Sequence, residues 1–144
     1  MERSQKSSFE GGFLKEIDSN VLMAVIARIL DNKLGSDISI LNISNVSCMA
    51  DYFVIASGDN PSQVRALTGY VREFLKKIFE RLPQGEETDI KNRWNLLDYG
   101  DVVVHVLHKD ERDAYAIEKF WNHACKVEEQ EWMALSDLYQ EQLI

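Results

Sequence analysis

The sequence of 144 residues contains few cysteines, fewer basic than acidic side chains, and no long apolar run. Its two cysteines, Cys48 and Cys125, form no CxxC motif, which is typical of a reducing compartment. We expect both to be buried free thiols. Apolar runs such as 52–56 and 102–104 are far shorter than the roughly 20 residues of a membrane-spanning helix. Residues 1–18 lack the apolar core of a secretory signal, so we expect a cytoplasmic protein that does not cross a bilayer.

The charge balance argues against nucleic acid as the main partner. Sixteen basic and 24 acidic side chains give a formal net charge of -8. Binding to RNA or DNA gains most of its free energy when clustered Lys and Arg displace counterions from phosphates, and an acidic chain opposes that gain. The same charge suits a partner with a basic surface, although acidity also keeps many proteins soluble. We therefore expect neither nucleic-acid nor membrane binding as the principal contact.

The length and the 45% hydrophobic content indicate one folded domain whose core needs neither a disulfide nor a structural metal. The polar residues 1–18 predict a flexible lead-in, and residues 19–125 the folded domain. Residues 126–144 form an acidic extension in which Trp132, Leu135, Leu138 and Leu143 favour an amphipathic helix that folds back or meets a partner.

Apolar spacing from Ser19 predicts a first helix, capped by Asp18 or Ser19 and closed by Gly35. A β-branched stretch at 38–43 and the apolar run 52–56 predict two strands, the second buried on both faces. A second helix begins with Asn60 as its N-cap, Pro61 in its first turn and Gln63 reaching back as in a capping box. Its buried stripe continues to Leu82, where Pro83 ends it.

Residues 84–93 predict a loop, followed by strands at Trp94–Tyr99 and Asp101–Leu107 that meet at Gly100 in a hairpin turn or a bulge. A third helix is predicted from Asp110 to about Ala124, with Ala114, Ile117, Phe120, Trp121 and Ala124 as its buried stripe. The order αββα-ββα plus a C-terminal helix predicts a single-domain α/β (α+β) fold with a mixed sheet flanked by helices.

The segment 94–101 places large apolar groups beside carboxylates. Strand alternation puts Trp94, Leu96 and Asp98 on one face, and Asn95, Leu97 and Tyr99 on the other. This composition is typical of interface anchors with an acidic rim, while core packing is the commoner explanation for the tryptophan and the leucines.

Catalytic signals are weak throughout the chain. His105 and His108 lie three apart in a strand, which sends them to opposite faces and prevents shared metal ligation. Gly58 before a helix is a single glycine next to Asp59, which favours a turn over a phosphate site. Asp98 and Asp101, the nearest pair of carboxylates on strands, flank a turn. We expect no catalytic residue, metal or cofactor.

Several segments together resemble the ribosomal silencing factor family, also called the Iojap family. The matching positions are Asp51–Gly58, Gln63, Ala66, Trp94, Leu96–Val106 and Glu111–Trp121. They keep the family's order and spacing over roughly residues 19–125. Asn95 departs from the family, which usually has an apolar residue at that position.

The resemblance implies a non-enzymatic factor that binds universal large-subunit protein 14 on the large ribosomal subunit. There it blocks joining of the small subunit and represses translation under nutrient limitation. It also implies a nucleotidyltransferase-like fold and carries the contact role to Trp94, Leu96, Leu97, Asp98, Tyr99 and Asp101, with Trp94, Leu96 and Asp98 preferred as the outward face. Tyr115, Glu118 and Trp121 are expected to be structural or part of a self-association surface, so a homodimer of the free protein stays open. The alternative is a metal-dependent nucleotidyltransferase acting on a nucleotide or an RNA end.

Overall fold

The computed structural model describes residues 16–144, so most of the predicted lead-in over residues 1–18 lies outside the described part of the chain. Six strands form one mixed sheet with helices on both faces, which confirms the predicted fold class. The helices are α1 Ser19–Asn32, α2 Pro61–Phe79, α3 Lys109–Tyr115, α4 Ile117–Phe120, α5 Glu129–Ser136 and a 3-10 helix Asp137–Leu143; the strands are β1 Ser36–Asn42, β2 Tyr52–Gly58, β3 Gly85–Glu87, β4 Trp94–Asp98, β5 Val102–His108 and β6 Cys125–Val127.

The strand order across the sheet is β3-β4-β5-β2-β1-β6. Only β2 and β5 pair in parallel, and every other neighbouring pair in the sheet is antiparallel. The central strands β2 and β5 are buried along nearly their whole length, as the continuous apolar runs predicted. The sheet therefore has a covered centre and two short edge strands, β3 and β6, of three residues each.

Helix α1 is buried on every side: all nine consecutive residues from 22 to 30 are shielded from solvent. The sheet covers one side of it, α2 another, and α5 with the 3-10 helix the rest. Even Arg28 is buried, and its Nη2 donates to the carbonyl of Met133 at 2.6 Å and to Asp137 Oδ1 at 2.9 Å. A helix that is apolar all round needs such a complete cover. The C-terminal residues provide it, with Trp132 and Leu143 buried against the core.

Helix α2 begins as predicted and ends earlier. The Asn60 side chain accepts a hydrogen bond from the Gln63 backbone N–H at 2.9 Å, and the Gln63 side chain reaches back as predicted. It accepts from the Asp59 N–H at 2.6 Å, one residue before the N-cap whose N–H a capping box would use. The helix stops at Phe79 because Glu80 adopts a left-handed conformation with φ of 53°. The predicted buried stripe to Leu82 is therefore wrong at its end, since Leu82 is exposed.

The end of α1 depends on Gly35 in an unexpected way. Leu34 takes the left-handed conformation, with φ of 69°, and the Gly35 N–H donates to Leu30 O at 2.8 Å. A Cβ on Gly35 would lie 3.0 Å from that carbonyl oxygen, so the glycine is required for close approach rather than for its own φ.

Two further predictions of secondary structure are corrected. The expected loop 84–93 contains the edge strand β3, whose Gly85 and Glu87 pair with Asp98 and Leu96 of β4. The expected third helix over 110–124 is broken at Ala116, which has φ of 46°, and Phe120 of its predicted stripe is exposed. Such a short strand and such a break depend on tertiary pairing, which local periodicity does not report.

Both cysteines are exposed, contrary to the prediction of buried thiols. Cys125 starts the short edge strand β6, and Cys48 lies in the irregular loop between β1 and β2. Within residues 16–144, no helix is both long enough and apolar enough to span a bilayer.

Candidate functional site

Strand β4 separates the predicted contact residues into two groups. Asn95, Leu97 and Tyr99 point towards α2 and are 1%, 1% and 3% exposed, whereas Trp94, Leu96 and Asp98 are partly exposed on the opposite face. The predicted alternation is thus confirmed. Because Leu97 and Tyr99 belong to the core, we do not retain them among the surface residues of the candidate site. Burial also raises the pKa of Tyr99, which keeps its hydroxyl neutral.

The outward face carries a continuous series of ring contacts, here called the aromatic row. Neighbouring ring centroids lie 4.8 to 6.1 Å apart, within the usual range of aromatic pairs. Tyr115 at one end and Phe120 at the other are largely exposed. The row therefore offers apolar surface at both ends while its centre is packed on the sheet. Its members in order are Tyr115, Trp94, His105, Phe53, Trp121 and Phe120.

His105 fixes the orientation of Trp94. Its Nδ1 accepts a hydrogen bond from the Trp94 indole Nε1 at 3.2 Å, and its ring meets Phe53 edge-on at 4.8 Å. Burial lowers the pKa of His105 to about 4, so the imidazole is neutral near pH 7 and can accept this bond. The Trp94 indole is consequently held in one orientation before any partner arrives.

Beside the aromatic row lies a cleft of about 550 Å³, here called the acidic cleft. Trp94 and Leu96 form its apolar part, and its other lining residues are Glu87, Thr88, Asp89, Arg93 and Glu111. The Arg93 guanidinium lies 3.5 Å from Glu111 and balances one of the three carboxylates. The remaining negative charge next to an indole favours a Lys or Arg side chain as occupant.

The two aspartates of the hairpin have separate partners. Asp98 Oδ1 accepts from the Gly100 N–H at 2.8 Å, which supports the turn at Gly100, whose φ is 93°. Asp101 pairs with Arg81 at 2.8 Å, and the same Arg81 nitrogen donates to the Tyr99 carbonyl. Asp101 therefore ties the chain after α2 to the hairpin, while Asp98 keeps part of its carboxylate on the outward face.

Helices α3 and α4 are held against the sheet by Arg112. This guanidinium makes a bidentate ion pair with Glu118 and donates to Ser57 Oγ at 2.8 Å. Burial alone would raise the pKa of Glu118, but the hydrogen bonds and charge of Arg112 outweigh it and lower the pKa. These contacts of Arg112 with Glu118 and Ser57 are here called the Arg112 clamp. The clamp holds the two helices on either side of the left-handed Ala116, and Tyr115 lies over Trp94 at a centroid distance of 5.0 Å.

The clamp was missed by sequence reasoning for a physical reason. Residues six apart do not meet on a continuous helix, so Arg112 and Glu118 carry no local signal of a pair. Only the break at Ala116 brings them together. The stacking of Tyr115 on Trp94 depends on the same break.

The histidines do not converge. His105 belongs to the aromatic row, and His108 caps α3 through a bond from the Asp110 N–H to its Nδ1 at 3.1 Å. In the part of the chain that the structure describes, no cluster of three or more His, Cys, Asp or Glu residues is placed to hold a metal ion.

Comparison with known proteins gives a consistent result. Residues 16–142 match the family described as "Ribosomal silencing factor during starvation". The ribosomal silencing factor RsfS of Bacillus subtilis is 38% identical over 103 residues, covering 72% of this chain and 86% of that protein. A crystal structure of a Chromobacterium violaceum protein superposes with a TM-score of 0.70 at 32% identity, over 74% of this chain and 88% of the other.

A more distant relative is the mouse protein named "Mitochondrial assembly of ribosomal large subunit protein 1". It is 26% identical over 102 residues, which cover 67% of this chain and 43% of the mouse protein. The family match extends through the C-terminal helices that cover α1, and the Bacillus relative exceeds 30% identity over most of its length. This chain therefore belongs to the ribosomal silencing factor family.

Proposed function

We propose that this chain is a non-enzymatic repressor of translation that docks on the large ribosomal subunit and sterically prevents the small subunit from joining. Its partner on the subunit is universal large-subunit protein 14. Membership of the ribosomal silencing factor family supports the role, and the name of the mouse relative associates that protein with assembly of the large ribosomal subunit. The expected cytoplasmic location belongs to this proposal, because a repressor must share a compartment with its ribosomes.

The observation that carries the proposal is the outward face of β4. Trp94, Leu96 and Asp98 present apolar surface and negative charge together, next to the acidic cleft. Proteins that bind ribosomal RNA carry an excess of Lys and Arg, because phosphate contacts require them. A surface that combines aromatic anchors with carboxylates complements such a protein.

The two kinds of group have different tasks in docking. Opposite charges on the two surfaces accelerate and orient the encounter, so the carboxylates set mainly the association rate. Buried apolar anchors set mainly the dissociation rate. Steric blocking requires no chemical step, only a lifetime on the large subunit that exceeds the time between encounters with the small subunit.

The test uses light scattering of purified subunits, which rises when they associate. Saturating wild-type protein should slow or prevent the rise. The double variant Trp94→Ala/Asp98→Lys should lose both the inhibition and cosedimentation with the large subunit at moderate salt, with an unchanged circular dichroism spectrum. Leu138→Ser is the matched control, because Leu138 is 81% exposed and belongs to the 3-10 helix that covers α1.

Two outcomes would contradict the proposal at different levels. Subunits that associate at their normal rate with the wild-type protein present would refute the blocking role. The outward face of β4, with Trp94, Leu96 and Asp98, is here called the docking face. Inhibition that survives in the double variant would refute its assignment. Binding to isolated protein 14, measured in parallel, tests the identity of the partner separately.

A further inference from the structure

One strongly exposed apolar residue lies beside the acidic cleft without belonging to the aromatic row. Ile90 is 95% exposed in the short loop between β3 and β4. Single exposed apolar residues are common on protein surfaces, so exposure alone has no functional meaning. What distinguishes Ile90 is the support beneath its loop.

That support comes from Asn95, the second residue of β4, which is polar and only 1% exposed. Its Oδ1 accepts from the Asp89 N–H at 3.1 Å, and its Nδ2 donates to Asn92 Oδ1 at 3.1 Å and to Thr68 Oγ1 at 3.2 Å. Thr68 in turn donates to the Val64 carbonyl of α2 at 2.8 Å. A buried amide with satisfied partners specifies one local geometry, so the loop is tied to the body of the domain.

The loop also closes on itself. The Asn92 N–H donates to the Asp89 carbonyl at 2.9 Å, and the Arg93 N–H donates to Asp89 Oδ2 at 2.9 Å. Asn92 has φ of 52°, a left-handed conformation that asparagine tolerates better than most residues. These bonds form a tight turn that presents Ile90 at its tip in a defined position.

The loop borders the candidate docking face. Thr88, Asp89 and Arg93 line the acidic cleft together with Trp94 and Leu96. A partner that covers Trp94 and places basic side chains in the cleft would therefore also reach Ile90. Ile90 directly follows Asp89 of the cleft lining and is exposed, so we assign it to the rim of the same interface.

We propose that Ile90 is a second apolar anchor of the docking face, which enters an apolar recess on the basic protein partner, and that Asn95 sets the affinity by holding the loop in its bound conformation. The inference rests on the proposed function and deepens it. Holding a loop in its bound conformation removes the entropy cost of ordering it on binding. Burial of the isoleucine side chain adds a separate favourable contribution, which corresponds to a decrease in Kd on the order of tenfold to a hundredfold.

The experiment measures Kd and the dissociation rate for purified large subunits with four proteins: wild type, Ile90→Ser, Asn95→Leu and the double variant. Leucine resembles asparagine in shape but cannot bond to Asp89 and Asn92. Ile90→Ser should raise Kd about tenfold or more, mainly through faster dissociation, and leave the thermal unfolding temperature unchanged. Leu138→Ser makes a comparable apolar-to-serine change on the far side of the domain and should leave Kd unchanged.

The double variant Ile90→Ser/Asn95→Leu separates preorganisation of the loop from a general effect on the structure. If Asn95 acts by placing Ile90, Asn95→Leu should raise Kd in the wild-type background and have little further effect in the background of Ile90→Ser. Equal effects in both backgrounds would overturn the role of Asn95. An unchanged Kd for Ile90→Ser would overturn the inference as a whole.

Failure of this inference and failure of the proposed function give different results. If the Ile90 variants bind normally while Trp94→Ala/Asp98→Lys does not bind, the docking face stands and only the second anchor is refuted. If the wild-type protein does not bind large subunits, the proposed function itself fails. A shift in oligomeric state of Ile90→Ser in sedimentation, with unchanged subunit binding, would assign Ile90 to contact with a second copy and also overturn the inference.

Discussion

Acidification should destabilise this protein through His105. The imidazole is buried between Phe53 and Trp94, and this burial lowers its pKa from the ordinary 6.5 to about 4. In the unfolded chain the same side chain titrates near its ordinary pKa. Between these two pKa values the unfolded state binds a proton that the native state excludes, so the free energy of unfolding decreases as the pH falls from about 6.5 towards 4.

The magnitude follows from the size of the pKa shift. One pKa unit corresponds to about 1.4 kcal/mol, so the full effect of His105 is about 3 kcal/mol once the pH falls below both pKa values. Between pH 7 and pH 5 the expected loss is about 2 kcal/mol, which is a large part of the stability of a typical domain. The native protein at pH 5 still holds His105 neutral, so its bond from the Trp94 indole persists.

Urea denaturation at pH 7 and pH 5 tests this expectation by comparing the wild type with His105→Asn. The asparagine oxygen can accept the Trp94 hydrogen bond as Nδ1 does, but it does not titrate. Changes in the carboxylates and in the other histidines are common to both proteins, so the difference reports His105 alone. The wild type should lose about 2 kcal/mol more than the variant over this range. Equal losses in the two proteins would refute the assignment of the pH dependence to His105.

Substitutions at two further positions test the helices that frame the sheet. Arg28→Ala should lower the free energy of unfolding by about 3 kcal/mol, because it leaves a cavity under the C-terminal helices and removes the bonds to Met133 and Asp137. Arg28→Met, which fills most of that volume, should cost about 1 kcal/mol, and an equal loss in both variants by urea denaturation would contradict the packing argument. Glu80→Gly should stabilise the protein by about 1 kcal/mol, because φ of 53° strains a residue with a side chain. Thermal denaturation that shows no increase in stability would argue against strain at Glu80.

The features that sequence predicted well are governed by near neighbours. The cap at Asn60 and the return contact from Gln63 to the Asp59 N–H need only the five-residue segment 59–63, and the structure contains both. The two faces of β4 follow from the period of a strand, so the separation of Trp94 from Leu97 was available from order alone. The mixed sheet follows from the order of the predicted strands and helices along the chain.

The features that sequence missed depend on contacts between distant segments. The strand β6 forms because residues 125–127 pair with β1, and this edge position leaves Cys125 exposed. The break in the third helix goes with contacts that local sequence does not report, since Arg112 bonds to Ser57, which is 55 residues away, and to Glu118 across the break. The helical spacing of apolar residues over 114–124 continues through this break, so periodicity alone predicted one helix.

Only the part of the candidate site that depends on neighbouring residues could be predicted from the sequence. Trp94, Leu96 and Asp98 carry a local pattern, whereas the stacking of Tyr115 and the bond to His105 join three separate segments. Ile90 did have a signal, since it is an isolated apolar residue in the polar stretch 84–93. That signal was not interpretable without Asn95, whose buried amide shows that the loop has a fixed shape.

The unequal cover of the two faces of the sheet separates stability from docking. On one face, α1 lies between the sheet, α2 and the C-terminal helices, and most of the large buried side chains belong to this cluster. Among residues 16–144, the other face is covered by α3, α4, the residues that follow α4 and the loop before β2, which leaves the ends of the aromatic row and the acidic cleft accessible. An exposed aromatic surface adds little to stability, so a domain that keeps one must obtain its stability elsewhere. The buried helix α1 supplies that stability, and residues on the outward face of β4 are therefore free to be selected for contact with a partner.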